Sequence, residues 1–255
     1  MPKVVVSLSG GLDSTTLLYK VVSDFGAENV YAISFDYKQR HFVELECAKR
    51  TCQKLKVAHK IVDASFLYDI VKPVSSMVIN NLETPTDASE RMPSTYVPFR
   101  NAIFSAIIAS YAESVKANMI ALGFCREELE GNEQQVRYWD TTPEFVSAFQ
   151  ALMDLNDTHS IKYIAPFASL TKKEEIELGI TLKVPYEDTW TCYAGKVDKI
   201  EVAGYGTEPM GGRIIKYKKH YQPCGVCPSC IGRAKAFNEL GLEDPSVVKG
   251  FWSQA

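Results

Sequence analysis

Near the start of the chain, a short continuous run of apolar residues is followed by a stretch in which apolar residues recur at helical spacing. Lys3–Leu8 is a nearly continuous apolar run that ends in a glycine turn, which is typical of a strand buried in a parallel sheet. From Ser14 to Phe25 apolar residues recur every three to four positions, and Gly26 is a natural stop for the helix that this spacing indicates. The pattern therefore predicts a strand, a glycine turn and an amphipathic helix.

The same alternation continues along the chain. It predicts further strands over Val30–Asp36, His59–Asp63, Asn118–Phe124 and Ile161–Ala165, and helices over Val43–Leu55, Pro98 to about Val115, Pro143–Leu152, Thr171–Val184 and about Ile231–Leu240. Two polar stretches, from about Val71 to Thr95 and over Cys125–Thr142, predict loops. Strands and helices at this spacing indicate right-handed crossovers, so the predicted fold class is an α/β, doubly wound parallel sheet.

Composition narrows the class of protein. A chain of 255 residues that is 46% hydrophobic can bury one substantial core, which suits a single α/β domain with a small appendage. The net charge of −3 supplies no bulk attraction to nucleic acid or anionic membrane, so neither is an expected partner. No signal peptide is recognisable, and no apolar run approaches the roughly 18 residues of a membrane span. We therefore expect a cytoplasmic protein.

The seven cysteines fall into two groups. Three are scattered, as ordinary buried or half-buried thiols are, and four gather near the C-terminus: Cys47, Cys52 and Cys125, then Cys192, Cys224, Cys227 and Cys230. A CxxC pair with a third cysteine at the same spacing, completed by one distant cysteine, predicts a tetrahedral zinc site. Four protein ligands close the coordination shell, so the zinc would be structural. A redox pair or idle thiols are the alternatives.

The turn between the first strand and the first helix carries the sequence SGGLDST, Ser9–Thr15. Its two glycines allow positive φ and a close approach of backbone to ligand, and the N–H groups at the start of the helix favour an anion. The hydroxyl side chains add donors. The alternative is a plain strand-to-helix turn, in which Asp13 complements the helix dipole instead of holding Mg²⁺.

SGGLDST after an N-terminal apolar strand resembles the pyrophosphate loop of the N-type ATP pyrophosphatases. The resemblance implies an adenine nucleotide alpha hydrolase-like fold that cleaves ATP, with Mg²⁺, to AMP and pyrophosphate. Carried onto this chain, it implies that ATP is bound by Leu8, Ser9, Gly10, Gly11, Leu12, Asp13, Ser14, Thr15 and Thr16.

Five further segments narrow the resemblance. They are YKQRH (37–41), PSTYVPFRNAIF (93–104), PFASLTKKEEIELG (166–179), TWTCY (189–193) and CGVCPSCIGRAKAF (224–237). In this order they resemble the 7-cyano-7-deazaguanine synthase family of queuosine and archaeosine biosynthesis. The resemblance implies that 7-carboxy-7-deazaguanine and ammonia become the nitrile through adenylate and amide intermediates. It also implies a homodimer, and the four C-terminal cysteines match the family's zinc ligands.

The resemblance also suggests roles for individual residues. It implies catalytic roles for Asp13, Arg100 and Lys172, and substrate binding by Arg40, His41, Thr95, Arg100 and Asn101. Plainer alternatives are a helix-capping surface pair for Arg40 and His41 and a structural ion pair for Arg100. A lysine at a helix N-terminus opposes the helix dipole, which favours a role for Lys172 on the phosphates.

The chain departs from the family in three places. The family's D-x-S-G-Y-P-D-C-R segment is replaced within Gly123–Phe145, where Asp140 and Arg137 could stand in for the lost groups, and Phe99 replaces the glycine of V-P-G-R-N. A gap of 31 residues separates Cys192 from Cys224 and predicts an inserted hairpin, with a basic outer strand, over about 194–223. The hairpin is either solvated, a dimer contact or a partner contact. The predicted domains are 1–188 for ATP and 189–255 for the zinc-binding module, which ends in a helix.

Three alternatives to nitrile synthesis stay open at this point. One is a related adenylating ligase that acts on another carboxylate or stops at the amide. Another is a tRNA-modifying enzyme, such as a thiolase, which would need a catalytic cysteine pair outside the zinc site. The last is a nucleotide-binding or partner-binding protein that is stabilised by zinc and has no catalytic activity.

Overall fold

A computed structural model of the protein describes residues 1–39, 43–71, 75, 95–125, 128–129, 132–136, 138–207, 213–249 and 251–254. Of these, residues 128–129, 132–136, 196–207, 213–220, 248–249 and 251–254 are described by their backbone alone. The first half contains β1 (Val4–Ser7), α1 (Leu12–Phe25), β2 (Val30–Asp36), α2 (Val43–Leu55), β3 (Ala58–Asp63), α3 (Phe66–Val71), α4 (Arg100–Ser114) and β4 (Met119–Ala121). The second half contains β5 (Glu128–Leu129), β6 (Asn132–Val136), α5 (Pro143–Met153), β7 (Lys162–Ile164), α6 (Lys172–Thr181), β8 (Lys196–Thr207), β9 (Arg213–Gln222), α7 (Pro228–Glu239), α8 (Pro245–Lys249) and β10 (Phe251–Gln254).

Five parallel strands form the central sheet in the order β3-β2-β1-β4-β7. The chain starts at the central strand β1, builds outward to β3, and then crosses to β4 and β7 on the other side. The predicted doubly wound fold class is therefore confirmed. In such sheets ligands bind beyond the carboxyl ends of the strands where the order reverses, which here means the ends of β1 and β4.

Apolar layers cover both faces of the sheet. On one face Val5 packs in a cluster with Ile108 of α4, and on the other Val4 and Val6 pack with Leu17 of α1. Because successive side chains of a strand point to opposite faces, a central strand covered on both sides must be apolar throughout. This explains the continuous apolar run at the start of the sequence.

The predicted helices and strands of the central domain are confirmed, with shifts at their ends. Helix α1 begins at Leu12, two residues before the predicted Ser14, because Gly11 already serves as its N-cap. Helix α7 likewise begins earlier than predicted, at Pro228 and not near Ile231, because Cys227 serves as its N-cap.

Some elements differ from the sequence predictions. The predicted loop over Cys125–Thr142 is wrong in part, because it contains the antiparallel pair β5–β6, in which Leu129 pairs with Asn132. Helices α3 and α8 and strand β10 were also not predicted. The two helices have six and five residues and are too short for a periodic signal. The predicted loop from Val71 to Thr95 falls mainly on residues 72–74 and 76–94, outside the described residues.

The predicted hairpin between Cys192 and Cys224 is confirmed as β8 and β9. The prediction that its basic strand is an outer one is wrong, because β10 pairs with β9 and makes it the central strand of a three-stranded sheet. Helix α7 packs back on the central domain, where Phe237 meets Leu12 and Ile176. The division into domains 1–188 and 189–255 stays a prediction. Within the described ranges, none of the helices has the length and apolar character that a membrane crossing needs.

Candidate functional site

The glycine turn after β1 is closed by its own hydroxyl groups. The Ser14 Oγ accepts hydrogen bonds from the backbone N–H groups of Ser9 (3.1 Å) and Gly10 (3.3 Å), and the Ser9 Oγ accepts one from Gly11 N–H (3.1 Å). Gly11 caps α1 without a side-chain hydrogen bond. The first N–H groups of a helix have no partner within the helix, so the start of α1 is suited to bind an anion. We call Ser9–Thr15 the phosphate loop.

Gly10 is required by both conformation and packing. Its φ is +93°, and a Cβ built on it would lie 2.0 Å from the backbone oxygen of Glu44 in α2. Both demands exclude larger residues. The phosphate loop therefore rests directly on the first turn of α2, and this contact brings Glu44 to the edge of the same site.

A cavity of about 280 Å³ opens beside the phosphate loop, at the carboxyl ends of β1 and β4. Its wall includes predicted ATP-binding residues and predicted acceptor residues, namely Leu8, Ser9, Gly11, Leu12, Asp13 and Ser14 with Thr95, Arg100 and Asn101. Among the described residues, Gly10, Thr15, Thr16 and Lys172 are not part of this wall. The phosphate loop and the acceptor residues thus face one common space.

The two threonines that follow in α1 point away from that space. Thr15 is fully buried, and its hydroxyl has no hydrogen-bond partner within the described part of the chain. The Thr16 hydroxyl donates to Leu12 O (2.9 Å) and shares a hydrogen bond with the Tyr186 hydroxyl (3.0 Å). Their predicted contact with ATP stays a prediction.

Lys172 is clasped between two carboxylates. Its ammonium group forms an ion pair with Asp13 and lies 3.2 Å from Glu175 Oε2. Burial alone would lower the pKa of Lys172, but Asp13 and Glu175 hold the pKa well above its usual value. Burial, and then the neighbouring Asp13, raises the pKa of Glu175 to about 8. Lys172 is thus a fixed positive charge beside the phosphate loop, delivered by α6.

The capping sequence explains how α6 places this lysine. Thr171 caps the helix by accepting from Glu174 N–H (3.3 Å), and Glu174 Oε2 accepts from Thr171 N–H (2.8 Å). With the first turn fixed, Lys172 and Glu175 lie on the inner face one turn apart. Glu175 is fully buried and was not predicted, because sequence reasoning stopped at the capping pair.

Arg100 and Asn101 start α4 on the opposite side of the cavity. Arg100 Nη1 donates to the Tyr37 hydroxyl (3.3 Å), and Asn101 Nδ2 donates to the backbone oxygen of Asp140 (3.3 Å). Burial lowers the pKa of Arg100, but Tyr37 and Asp140 outweigh it and the pKa lies above its usual value. Thr95, also on the wall, shares a hydrogen bond with the Tyr138 hydroxyl (3.0 Å). Arg100 is therefore a permanent cation that faces the cavity.

Two carboxylic acids complete this side of the cavity. Burial raises the pKa of Glu44 to about 7, although Arg100 opposes the shift. Burial likewise raises the pKa of Asp140, again against Arg100, and only 2% of Asp140 is exposed. Both groups can accept hydrogen bonds from a bound ligand, and Glu44 can also hold a proton near neutral pH.

A group of aromatic residues adjoins the cavity wall through Tyr96. Phe99 caps α4 in the left-handed region (φ 54°), where a residue with a side chain is uncommon. Its ring is 60% exposed and meets the Trp139 ring edge-on, with centroids 5.1 Å apart. The Trp139 Nε1 in turn donates to the Tyr96 hydroxyl (3.0 Å). Phe99 thus adopts a backbone conformation that favours glycine, directly before Arg100 of the cavity wall.

Some functional candidates lie elsewhere or were overlooked. Arg40, His41 and Arg137 lie outside the described residues, so their predicted roles stay predictions. Tyr138 on the cavity wall was overlooked. The available signal was spacing, since Tyr138 stands two residues before Asp140, as the tyrosine stands before the last aspartate in the family's D-x-S-G-Y-P-D-C-R segment.

The four C-terminal cysteines come together as predicted. Their sulfur atoms all lie within 4.8 Å of one another, and those of Cys224 and Cys230 are 4.0 Å apart. A tetrahedral zinc site with zinc–sulfur distances of about 2.3 Å places its sulfurs about 3.8 Å apart, so the donor set fits zinc. Backbone N–H groups support the sulfurs, since Cys224 N–H donates to Cys192 Sγ (3.1 Å) and Cys227 N–H to Cys224 Sγ (3.4 Å).

The three scattered cysteines are buried, as expected. Burial raises the pKa of Cys52 to about 12 and raises the pKa of Cys47 and of Cys125 well above the usual range. The Cys125 thiol donates to Leu170 O at 3.3 Å. Because the thiolate is the reactive form of cysteine, these thiols are poorly suited to nucleophilic chemistry.

Comparisons with known proteins agree with the site. Residues 3–241 match the family model described as "Queuosine biosynthesis protein QueC". The 7-cyano-7-deazaguanine synthase of Clostridium kluyveri is 38% identical over 258 residues, covering 98% of this chain and 99% of that protein. The enzyme of that name from Methanoregula boonei is 37% identical, with 95% and 97% covered. Among solved structures, the U34-tRNA thiolase NcsA from Methanococcus maripaludis is 17% identical, with a TM-score of 0.46 over 76% of this chain and 61% of that chain. The family model and the near-full-length relatives confirm the resemblance seen in the sequence, and the chain belongs to the family of the queuosine biosynthesis protein QueC.

Proposed function

We propose that this protein is an ATP-dependent carbon–nitrogen ligase that converts 7-carboxy-7-deazaguanine and ammonia to 7-cyano-7-deazaguanine. The observation that carries the proposal is that the phosphate loop and the Arg100–Asp140 cluster face one cavity, in a chain of the QueC family. Relatives of nearly the same length that are named 7-cyano-7-deazaguanine synthase support the choice of acceptor.

Two rounds of ATP cleavage account for the product. In the first, an oxygen of the substrate carboxylate attacks the α-phosphorus of ATP and pyrophosphate leaves. Ammonia then displaces AMP, and the amide forms with loss of a proton. In the second round the amide oxygen attacks another ATP, and departure of AMP and a proton leaves the nitrile. Each round converts one ATP to one AMP and one pyrophosphate.

The charges around the cavity suit this chemistry. The N–H groups at the start of α1 and the hydroxyls of Ser9 and Ser14 would hold the phosphates, and Lys172 would neutralise charge on the departing pyrophosphate. Mg²⁺ supplies further neutralisation of the phosphates, and Asp13 on the cavity wall is the residue that would hold it.

The acceptor would lie on the opposite wall. Arg100 presents a guanidinium to a carboxylate and can pair with it through two hydrogen bonds. Glu44 and Asp140 offer oxygens to the N–H groups along the edge of a deazaguanine ring. Aromatic neighbours such as Tyr138 suit its flat face. Together they favour a planar heterocycle that carries one carboxylate.

The cysteine cluster would hold a structural zinc ion. Cys192, Cys224, Cys227 and Cys230 supply four sulfurs, so no coordination position remains for substrate. The buried, high-pKa thiols of the other cysteines count against a thiolase, which would need a reactive cysteine pair. We also propose that the protein acts in the cytoplasm as a homodimer, as the family resemblance implies.

A direct assay tests the function. The protein is incubated with 7-carboxy-7-deazaguanine, ATP, Mg²⁺ and ammonium, and the product is identified by mass spectrometry while pyrophosphate is measured. We expect the nitrile, with two pyrophosphates released for each nitrile formed. Pyrophosphate release with a different carboxylic acid, but none with this one, would overturn the substrate. ATP binding without pyrophosphate from any acceptor would favour a binding protein that has no chemistry.

A ligase that stops at the amide is the second candidate. It is favoured by two departures from the family pattern, namely Phe99 in place of the glycine of V-P-G-R-N and the pair β5–β6 within the changed interval Gly123–Phe145. The same mass spectrum decides, because acid, amide and nitrile differ in mass. Accumulation of amide with one pyrophosphate per product would establish this candidate.

A further inference from the structure

The segment Thr189–Tyr193 runs between the cysteine cluster and the phosphate loop. The backbone N–H of Trp190 donates to the carbonyl oxygen of Gly10 at 3.1 Å. A Cβ built on Gly11 would lie 3.4 Å from the backbone oxygen of Trp190 and 3.6 Å from the Thr191 methyl group. The segment therefore lies in direct contact along both glycines of the loop.

The same segment supplies a metal ligand. Cys192 Sγ joins the cluster and accepts hydrogen bonds from the N–H groups of Cys224 (3.1 Å) and Ala194 (3.3 Å). The Trp190 Nε1 donates to the backbone oxygen of Cys192 at 2.9 Å. Trp190 is buried, and Gly195 leaves room for its ring, because a Cβ there would lie 2.3 Å from it. Trp190 and Cys192 are thus locked together as one unit.

The residues beside Cys192 belong to the cavity wall. Thr191 and Tyr193 both line the cavity, while Cys192 between them turns towards the cluster. Ser229, which lies between Cys227 and Cys230, also lines the cavity. Both ligand-bearing segments therefore continue into the wall around the phosphate loop.

We propose that Trp190 and Cys192 are positioning residues through which metal in the cysteine cluster holds the phosphate loop in its ATP-binding conformation. This inference rests on the proposed function in assigning ATP to the loop. Without a metal the four sulfurs lose their common partner, and the end of the segment at Cys192 is released. Trp190 is then no longer held in place through Cys192, and its hydrogen bond to Gly10 O weakens.

A second anchor keeps the effect local. Arg233 donates to the Thr189 hydroxyl (2.7 Å) and to Tyr186 O (2.9 Å), and it forms a buried ion pair with Asp244. This anchor holds the start of the segment without metal. The metal-free protein should therefore loosen from Trp190 onward and keep its central sheet.

Thermodynamic linkage sharpens the prediction. If metal binding favours the ATP-binding loop, then ATP must favour metal retention by the same factor. Loss of one well-formed hydrogen bond with its packing corresponds to about a tenfold change in affinity. We therefore expect an ATP analogue to bind about tenfold more weakly to the metal-free protein, and to raise zinc affinity about tenfold when it saturates the loaded protein.

The experiment compares zinc-loaded, chelator-treated and reloaded protein. Calorimetry measures the Kd of α,β-methylene-ATP with excess Mg²⁺, and a zinc-sensitive dye measures zinc affinity with and without the analogue. Hydrogen exchange of residues 8–16 and 189–193 is expected to quicken without zinc, while that of β2 stays unchanged. An analogue affinity within twofold of the loaded protein, with an unchanged loop, overturns the inference. If the loaded protein fails to bind the analogue at all, the proposed function is refuted as well.

A variant covers the case in which the metal-free protein unfolds. Trp190→Phe keeps a buried ring but removes the hydrogen bond to Cys192 O. We therefore expect the variant to retain its zinc, and the factor by which the ATP analogue raises zinc affinity, the linkage factor, to fall towards one. The matched control is Tyr221→Phe. The Tyr221 ring meets the Trp190 ring edge-on, with centroids 6.0 Å apart, and Tyr221 is not among the described residues that line the cavity. The control should keep the full factor. A wild-type factor in Trp190→Phe overturns the inference.

Discussion

The contact between Gly10 and α2 gives a prediction whose magnitude follows from the structure. In Gly10→Ala the new Cβ would lie 2.0 Å from Glu44 O, whereas ordinary contact needs about 3.5 Å, so α2 must shift by about 1.5 Å. The positive φ costs about 1–2 kcal/mol for a residue with a side chain. Overpacking of this kind adds about 1–3 kcal/mol. The free energy of unfolding should therefore fall by about 2–5 kcal/mol.

Calorimetric melting and pyrophosphate release are the assays for Gly10→Ala. For a chain of this size the loss of stability corresponds to a Tm lowered by roughly 5–15 °C. Pyrophosphate release should fall further than stability alone explains, because the shift moves Glu44 at the cavity edge. Gly232→Ala is the matched control, since Gly232 lies in α7 with open space around it and alanine favours a helix by about 1 kcal/mol. An unchanged Tm for Gly10→Ala, or an equal loss in Gly232→Ala, would refute the reasoning.

Three further predictions address charge. Burial raises the pKa of Glu44 from 4.5 to about 7, so between these pH values the folded state holds a proton that the unfolded state has released, and the free energy of unfolding falls as pH rises. In Glu44→Gln the difference between the free energies measured by urea unfolding at pH 5 and pH 7.5 should become smaller. An unchanged difference would contradict the prediction. Lys172→Met removes the cation beside the phosphate loop, so the rate of pyrophosphate release should drop by about 100-fold or more. A loss below tenfold in a protein of normal Tm would exclude the role of Lys172 in neutralising the phosphates. Arg233→Met leaves Asp244 buried without its ion-pair partner and should lower the free energy of unfolding by about 3–5 kcal/mol. In a double-mutant cycle with Asp244→Asn, the losses of stability from the two single substitutions should not add. Additive losses would show that the two residues do not couple.

The central sheet could be predicted because its sequence signals are local. The run Val4–Val6 is apolar on both faces, and the helix after it has a clear period and a glycine at each end. The pair β5–β6 could not be predicted, because its residues are mostly polar and lack alternation, and its pairing depends on the ladder between two short strands. The strand β10 depends on a partner more than 25 residues earlier in the chain, which no local pattern reveals.

Residues of the candidate site were predictable where a turn or a metal imposes spacing. The phosphate loop and the four cysteines belong to this group, since glycine conformation and zinc geometry restrict which residue types fit. Glu175 was not predictable, because a glutamate in the first turn of a helix is ordinarily exposed. Its burial arises only when α6 packs on the phosphate loop and places Lys172 against Asp13.

The burial of three cysteines makes the remaining four a reporter. Cys47, Cys52 and Cys125 are buried and burial raises the pKa of their thiols, so a thiol reagent added to the native protein would modify them slowly, even though Cys125 lines the cavity. The cysteines of the cluster, in contrast, become reactive when their metal departs. The fast phase of a colorimetric thiol titration of the folded protein should therefore count vacated metal sites, and allow the zinc loading of each preparation to be checked in a cuvette.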